Sequence, residues 1–240
     1  MTAKIRFLST IILFFCFKIY SQNIISVENF VPPGTIKVND SLFIDNTPIT
    51  NIMYDEFEMR ISLGWNLKTK DSIKKMPKHG IDLKKLSDFP NAKADSSLYN
   101  KIKRNKIDTI NNKLVAYSYN PKYCSNPVIN VSKENAEIFC LWRTDMVELA
   151  IASKSKTIDE RKKFPNKVTY RLATKEELIT IENYFKNINK IKIIKKHFPT
   201  KMEIHKVEDV YYSLNLPEIS AEDEKKINNA TFRCVCEISK

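Results

Sequence analysis

The last ten residues, TFRCVCEISK, constrain the chain more than any other stretch, because two cysteines stand one residue apart in a β-branched and aromatic run. Such a run reads as a strand over residues 230–238, and side chains on a strand alternate between its faces. Phe232, Cys234, Cys236 and Ile238 therefore share one face, and Thr231, Arg233, Val235 and Glu237 the other. The cysteine face is the apolar one, so both thiols are expected in the interior. Same-face neighbours on a strand lie about 6.5–7 Å apart at Cα, and their side chains run parallel. A bond between Cys234 and Cys236 would be strained, so each needs a partner elsewhere.

What those partners are depends on the compartment. MTAKIRFLSTIILFFCFKIYS places Lys4 and Arg6 ahead of an apolar run from Phe7 to Phe17, with the small Ser21 before Gln22. The run is about half the ~20 residues of a membrane-spanning helix. This is the pattern of a secretory signal peptide over residues 1–21, followed by one domain over 22–240. Lipidation at Cys16 is disfavoured by the bulky Phe14 and Phe15 before it. The expected location is periplasmic or extracellular, with the membrane met only transiently through the signal.

Beyond that segment the cysteines are Cys124, Cys140, Cys234 and Cys236. Four cysteines in an exported chain read as two bridges. A tetrahedral zinc site is the rival, but the C-x2-C spacing of zinc knuckles is missing, and no metal ligand is assigned. A reactive thiol would need exposure and a positive neighbourhood, whereas Arg233 falls on the opposite face. Cys140 lies on the buried stripe of a helix and should meet the sheet. Pairing it with Cys234 closes a loop of about 95 residues, worth roughly 3–5 kcal/mol in the chain-entropy model. Cys124 with Cys236 follows by elimination.

Composition narrows the function classes. Net charge is +12, and removing residues 1–21 takes away Lys4, Arg6 and Lys18 to leave +9. A surplus of that size suits nucleic acid or an anionic surface. The lysines are nevertheless scattered among Asn and Ile, and no nucleic-acid-binding motif accompanies them, so no nucleic-acid partner is expected. Glycine numbers only three, Gly34, Gly64 and Gly80, which excludes a glycine-rich phosphate loop.

Periodicity outlines the elements. Strands are expected near Thr35–Val38 and Ser41–Asp45, then a helix over Ile52–Leu63, capped by Thr50 or Asn51, that buries Ile52, Met53, Phe57 and Ile61. Trp65–Asn120 is a basic excursion broken by Pro77, Gly80 and Pro90, with one short helix and a strand at Lys113–Tyr119. Pro127–Val131 reads as a strand. Ser132 then caps a helix with a stripe of Ala136, Phe139, Cys140, Arg143, Val147 and Ala150. Val168–Leu172 is a strand, and Thr174 with Glu177 forms a capping box for a helix carrying Leu178, Ile181, Phe185 and Ile188. Lys190–Lys206 is a solvated basic edge, or alternatively a face for an anionic ligand, and Val207–Leu214 a strand. Lys192, Lys195, Lys196, Lys201 and Lys206 mark a candidate interaction surface there, together with the excursion.

Four of these segments, in order, resemble the sulfatase-modifying factor family, founded on the formylglycine-generating enzyme. FIDNTPITNIMYDEFE is similar to the family's early strand, E-V-T-N and helix. Its P-V-x-x-V-S-W-x-x-A-x-x-Y-C-x-W is matched by Pro127, Val128, Val131, Ser132, Ala136, Cys140 and Trp142, with Phe139 at the tyrosine position. Tyr170-Arg171-Leu172-Ala173-Thr174 followed by Glu177 and Leu178 resembles Y-R-L-P-T-E-A-E-W, and Phe232-Arg233-Cys234 resembles the terminal G-F-R-C. The resemblance implies an α+β fold of the C-type-lectin-like kind with little regular structure. It also implies a bridge between Cys140 and Cys234.

The departures bear on activity. The family's enzyme uses a C-x4-C pair ahead of the closing strand to bind copper(I) and activate oxygen, but SLNLPEISAEDEKKINNAT before Phe232 has no cysteine. The calcium-associated G-N-x-W-E-W and the R-G-G-S-W segments are missing too. His79, His197 and His205 lack the spacing of the iron-dependent sulfoxide-synthase branch. The expectation is an exported domain without catalytic residues or a required cofactor, binding an extracytoplasmic protein or glycan, or serving envelope assembly. Gliding-motility and secretion lipoproteins of this fold are the nearest precedent. The alternative is a formylglycine-generating oxidase acting on sulfatase cysteines, which would need copper or calcium.

Overall fold

The closing strand lies inside a four-stranded antiparallel sheet in a mixed α+β architecture, seen in a computed structural model. The structure describes residues 30–40, 42–83, 95–110, 113–186, 192–194, 204–207, 210–213, 217–224 and 230–239. The expected signal segment lies outside them. β1 is Thr35–Lys37, β2 Leu42–Asp45, β5 Lys167–Leu172 and β9 Cys234–Ser239. β9 pairs with β2 on one side and β5 on the other, which sets Phe43 and Tyr170 opposite Cys236 and Leu172 opposite Cys234.

Alternation then sorts the side chains. Cys234, Cys236, Phe43, Val168, Tyr170 and Leu172 turn to the main core. Ile44 and Val235 turn to a smaller cluster with Ala173 and Ile181, so β9 is covered on both faces. The first layer belongs to helix α4, Lys133–Lys154, and the second to α6, Lys175–Lys186.

Helix α1, Asn51–Ser62, begins at Thr50 and buries Tyr54, Phe57, Glu58 and Ile61. Ile52, expected inside, is 45% exposed. Both patterns have helical spacing; tertiary packing selected the one led by Tyr54, whose ring stacks on Phe139 at 5.9 Å between centroids. Phe139 in turn meets Phe57 and Phe232 edge-on at 5.4 Å each. Helix α4 starts at Ser132, whose hydroxyl accepts from Asn135 N. Its expected stripe is buried except for the half-buried Ala150. Ile138, Trp142, Asp145, Leu149, Ile151 and Ala152 are buried as well, because other elements cover its second side.

The excursion is more ordered than its composition suggests. It holds α2 (Leu67–Lys74), α3 (Ser96–Ile102) and a hairpin of β3 (Asp108–Ile110) with β4 (Lys113–Val115). The strand expected to reach Tyr119 stops at Val115, because Tyr117 and Ser118 turn inward onto Pro127 O and Asp108. Pro127–Val131 is not a strand: it makes one bridge, Pro127 to Thr50, and Asn130 adopts φ 61°. That left-handed conformation, which Asn tolerates better than most residues, breaks the extended chain just before α4. α5 is the single turn Ile158–Arg161. β6 (Lys192–Ile194), β7 (Ile204–Val207) and β8 (Val210–Ser213) form a separate antiparallel sheet, and β8 covers the middle of the strand expected at Val207–Leu214.

At the entry to α6 the Thr174 hydroxyl accepts from Glu177 N at 3.1 Å, while Glu177 accepts from Thr174 N at 2.8 Å. This reciprocal cap is the one the sequence specifies. Thr174→Ala is expected to lose about 1 kcal/mol, read as a lower urea midpoint with an unchanged slope.

Candidate functional site

Two polar clusters bear on function: one seals the core around the sulphurs, and the other floors an open cleft. In the first, the Asp45 carboxylate at the end of β2 accepts from Arg143 of α4 and from the backbone N–H of Cys234, each at 2.8 Å. Arg143 also donates to Pro33 O at 2.9 Å and lies 4.3 Å from the Tyr170 ring centroid. Gly34, at φ +75°, leaves that guanidinium room, since a Cβ there would come within 3.2 Å of it. Burial opposes the Arg143 charge, but Asp45, with Tyr170 and Cys234 adding to it, holds the guanidinium well above its ordinary value. In the sequence Arg143 is one position of an apolar stripe. A buried arginine requires a buried anion, which is the signal that could have found Asp45.

Beside this pair Cys140 Sγ lies 3.0 Å from Cys234 Sγ, both buried. The four described cysteines are all thiols. Burial, then contact with Cys140, drives the Cys234 thiol well above its ordinary value. Burial pushes Cys236 up to about 12. Neither supplies a thiolate at neutral pH. The structure thus brings Cys140 and Cys234 together. It does not bring Cys124 to Cys236: the first is half-buried with Sγ 3.7 Å from Ser125 Oγ, the second 3.8 Å from Glu237 O. Arg233, on the other strand face, is buried and donates to Glu218 at 2.8 Å and to Asp45 O at 3.0 Å.

The second cluster centres on Arg104, just past α3. Its guanidinium reaches Glu58 through two nitrogens at 3.2 Å, Asn51 Oδ1 at 2.8 Å and Asp55. It is sandwiched by the rings of Tyr54 and Tyr119, at 4.9 and 5.0 Å. Burial works against this charge, yet the Glu58 hydrogen bonds and the nearby carboxylates raise its pKa. Burial raises the Asp55 pKa despite Arg104. Nothing distinguished Arg104 from its basic neighbours in the sequence, because its role depends on Glu58, 46 residues away.

This network closes one side of a cleft of about 250 Å³ between α3, the 129–132 segment and the start of α4. Asp108 accepts from Ser118 N and Oγ, at 3.2 and 2.8 Å, and from Asn130 Nδ2 at 3.5 Å. Asn135 donates to Lys101 O at 3.0 Å. The wall combines amide, hydroxyl, carboxylate and cationic groups with the aliphatic Ile102, Ile129 and Val131, a mixed and largely polar surface. Among the described residues no three His, Cys, Asp or Glu side chains gather as metal ligands.

Of the five lysines read as an interaction surface, Lys192 and Lys206 are cross-strand partners on β6 and β7. Lys195, Lys196 and Lys201 lie outside the described residues. No family model, characterised protein or solved structure matches this chain.

Proposed function

We propose that the chain is an exported, non-catalytic domain of the formylglycine-generating-enzyme type, C-type-lectin-like in fold, that binds a partner or serves assembly outside the cytoplasm. One observation carries this reading: Cys140 and Cys234, the two positions the resemblance pairs, sit 3.0 Å apart between α4 and the closing strand. Sulphur here serves to hold a helix to a sheet. On export the two thiols lose two protons and two electrons to the disulfide of an oxidoreductase, which leaves as a dithiol, and an S–S bond replaces the contact. The copper of the family's oxidase has no seat here, because the stretch ahead of Phe232 contains no cysteine. The cleft beside Arg104 then offers the binding surface, polar enough for a glycan or a protein loop.

The test is chemical. Protein recovered from the exported fraction is unfolded in guanidinium, alkylated without reductant and mapped by mass. Cys140 and Cys234 are expected to escape modification. Carbamidomethyl groups at both positions would overturn the stapled scaffold. Formylglycine in a C-x-P-x-R peptide, after incubation with copper-loaded protein, would overturn the non-catalytic assignment.

A further inference from the structure

We infer that the β3–β4 hairpin is a docking tip that seats the protein on an anionic lipid surface. The hairpin register pairs Thr109 with Leu114 and Asp108 with Val115, which gives it two unlike faces. Asp108 and Val115 face inward, toward Ser118 and the Tyr117–Ile129 cluster. The outward face carries Leu114, 78% exposed and the most exposed large apolar side chain described, with Ile107 at 57% just ahead of β3. A solvated face would carry polar residues at these places.

Charge supplies the second argument. Between Ser96 and Tyr123 the chain has six cations and one acid, Asp108, which is turned inward. Arg104 is spent on Glu58 and Asp55, and Lys101 pairs with Glu134. Lys103, Lys106 and Lys122 stay exposed, with no carboxylate partner among the described residues. These ammonium groups, two of them resting over the rings of Tyr99 and Tyr123, flank the hairpin in sequence and have no fork to grip a single carboxylate, which suits a diffuse anionic layer better than a shaped acidic partner. Insertion would be shallow, and no described helix is long and apolar enough to cross a bilayer.

The test uses the full chain with vesicles of phosphatidylcholine, with and without phosphatidylglycerol. The apolar Phe7–Phe17 run, with Lys4, Arg6 and Lys18 beside it, adds its own preference for the anionic vesicles, so the change that the hairpin variants make to that preference is the readout. Each lysine near an anionic surface contributes about fivefold to partitioning. Binding to the anionic vesicles is expected to be at least tenfold tighter in low salt, and Lys103→Glu with Lys106→Glu to cut that preference at least tenfold; an unchanged preference overturns the proposal. Leu114→Asp should weaken it about tenfold, and Leu114→Trp should shift its emission to the blue only with anionic vesicles. Equal binding to both vesicle types overturns the proposal. So does loss through the lysine changes with none through Leu114→Asp, which would mark a purely electrostatic site for an acidic protein. All three positions are exposed, so folding does not confound the result.

Discussion

Arg143→Met is expected to cost about 3–5 kcal/mol, because it leaves the Asp45 carboxylate buried without its cation. Asp45 would keep only the Cys234 N–H, at 2.8 Å, as a hydrogen-bond donor from β9. Against a total stability of about 5–15 kcal/mol for an ordinary domain, a loss of that size is large. Pro33 O would also lose the shorter of its two hydrogen bonds and keep only that from the Tyr170 hydroxyl at 3.3 Å, loosening the entry to β1. The double variant Arg143→Met with Asp45→Asn removes both charges at once, and should be less destabilised than Arg143→Met alone. Urea unfolding of the single and double variants measures this. Equal losses in the two would show that Asp45 is not stranded when Arg143 is removed.

Asp145→Asn is expected to act in the opposite direction and to stabilise the protein at neutral pH. Burial raises the Asp145 pKa to about 6, against the hydrogen bond from Trp65 Nε1 at 3.0 Å and the charges of Lys70 and Lys74, with Glu148 adding to the rise. The unfolded value lies near 3.9. Between these values the folded protein keeps a proton that the unfolded chain has shed, so stability falls as pH rises through the window. The penalty is absent below about pH 4 and complete above about pH 6. Its size is about 1–3 kcal/mol, allowing for screening by the nearby lysines and solvent. Asparagine keeps an acceptor for Trp65 without the charge. The gap in stability between Asp145→Asn and wild type should therefore open between pH 4 and 6 and stay level above. Parallel stability profiles across that range would exclude this assignment.

Local chemistry was legible in the sequence wherever its partners are close along the chain. Ser132 and Asn135 are three residues apart, as are Thr174 and Glu177, and both caps stand as their spacing indicates. Alternation placed Cys234 and Cys236 on the core face. Other features depended on distant partners. Asp45 and Arg143 are 98 residues apart, and Glu58 and Arg104 46. Each reads in sequence as an ordinary surface charge or as an oddity on an apolar stripe. The cleft likewise required α3 and the 129–132 segment to meet, which neither periodicity records. Ile52 and Tyr54 illustrate the same limit, since both fit a helical stripe and only packing on distant groups such as Phe139 and Phe232 chose between them.

The sequence by itself determined the starts of α1, α4 and α6, the two-faced closing strand and the set of cysteines available to the core, because each follows from interactions within a few residues. The tertiary structure alone decided which thiols meet, which charges are interior and which apolar side chains remain outside. Those outcomes are set by desolvation and pairing between segments far apart in the chain, where a buried charge is tolerated only if the fold delivers its counter-charge.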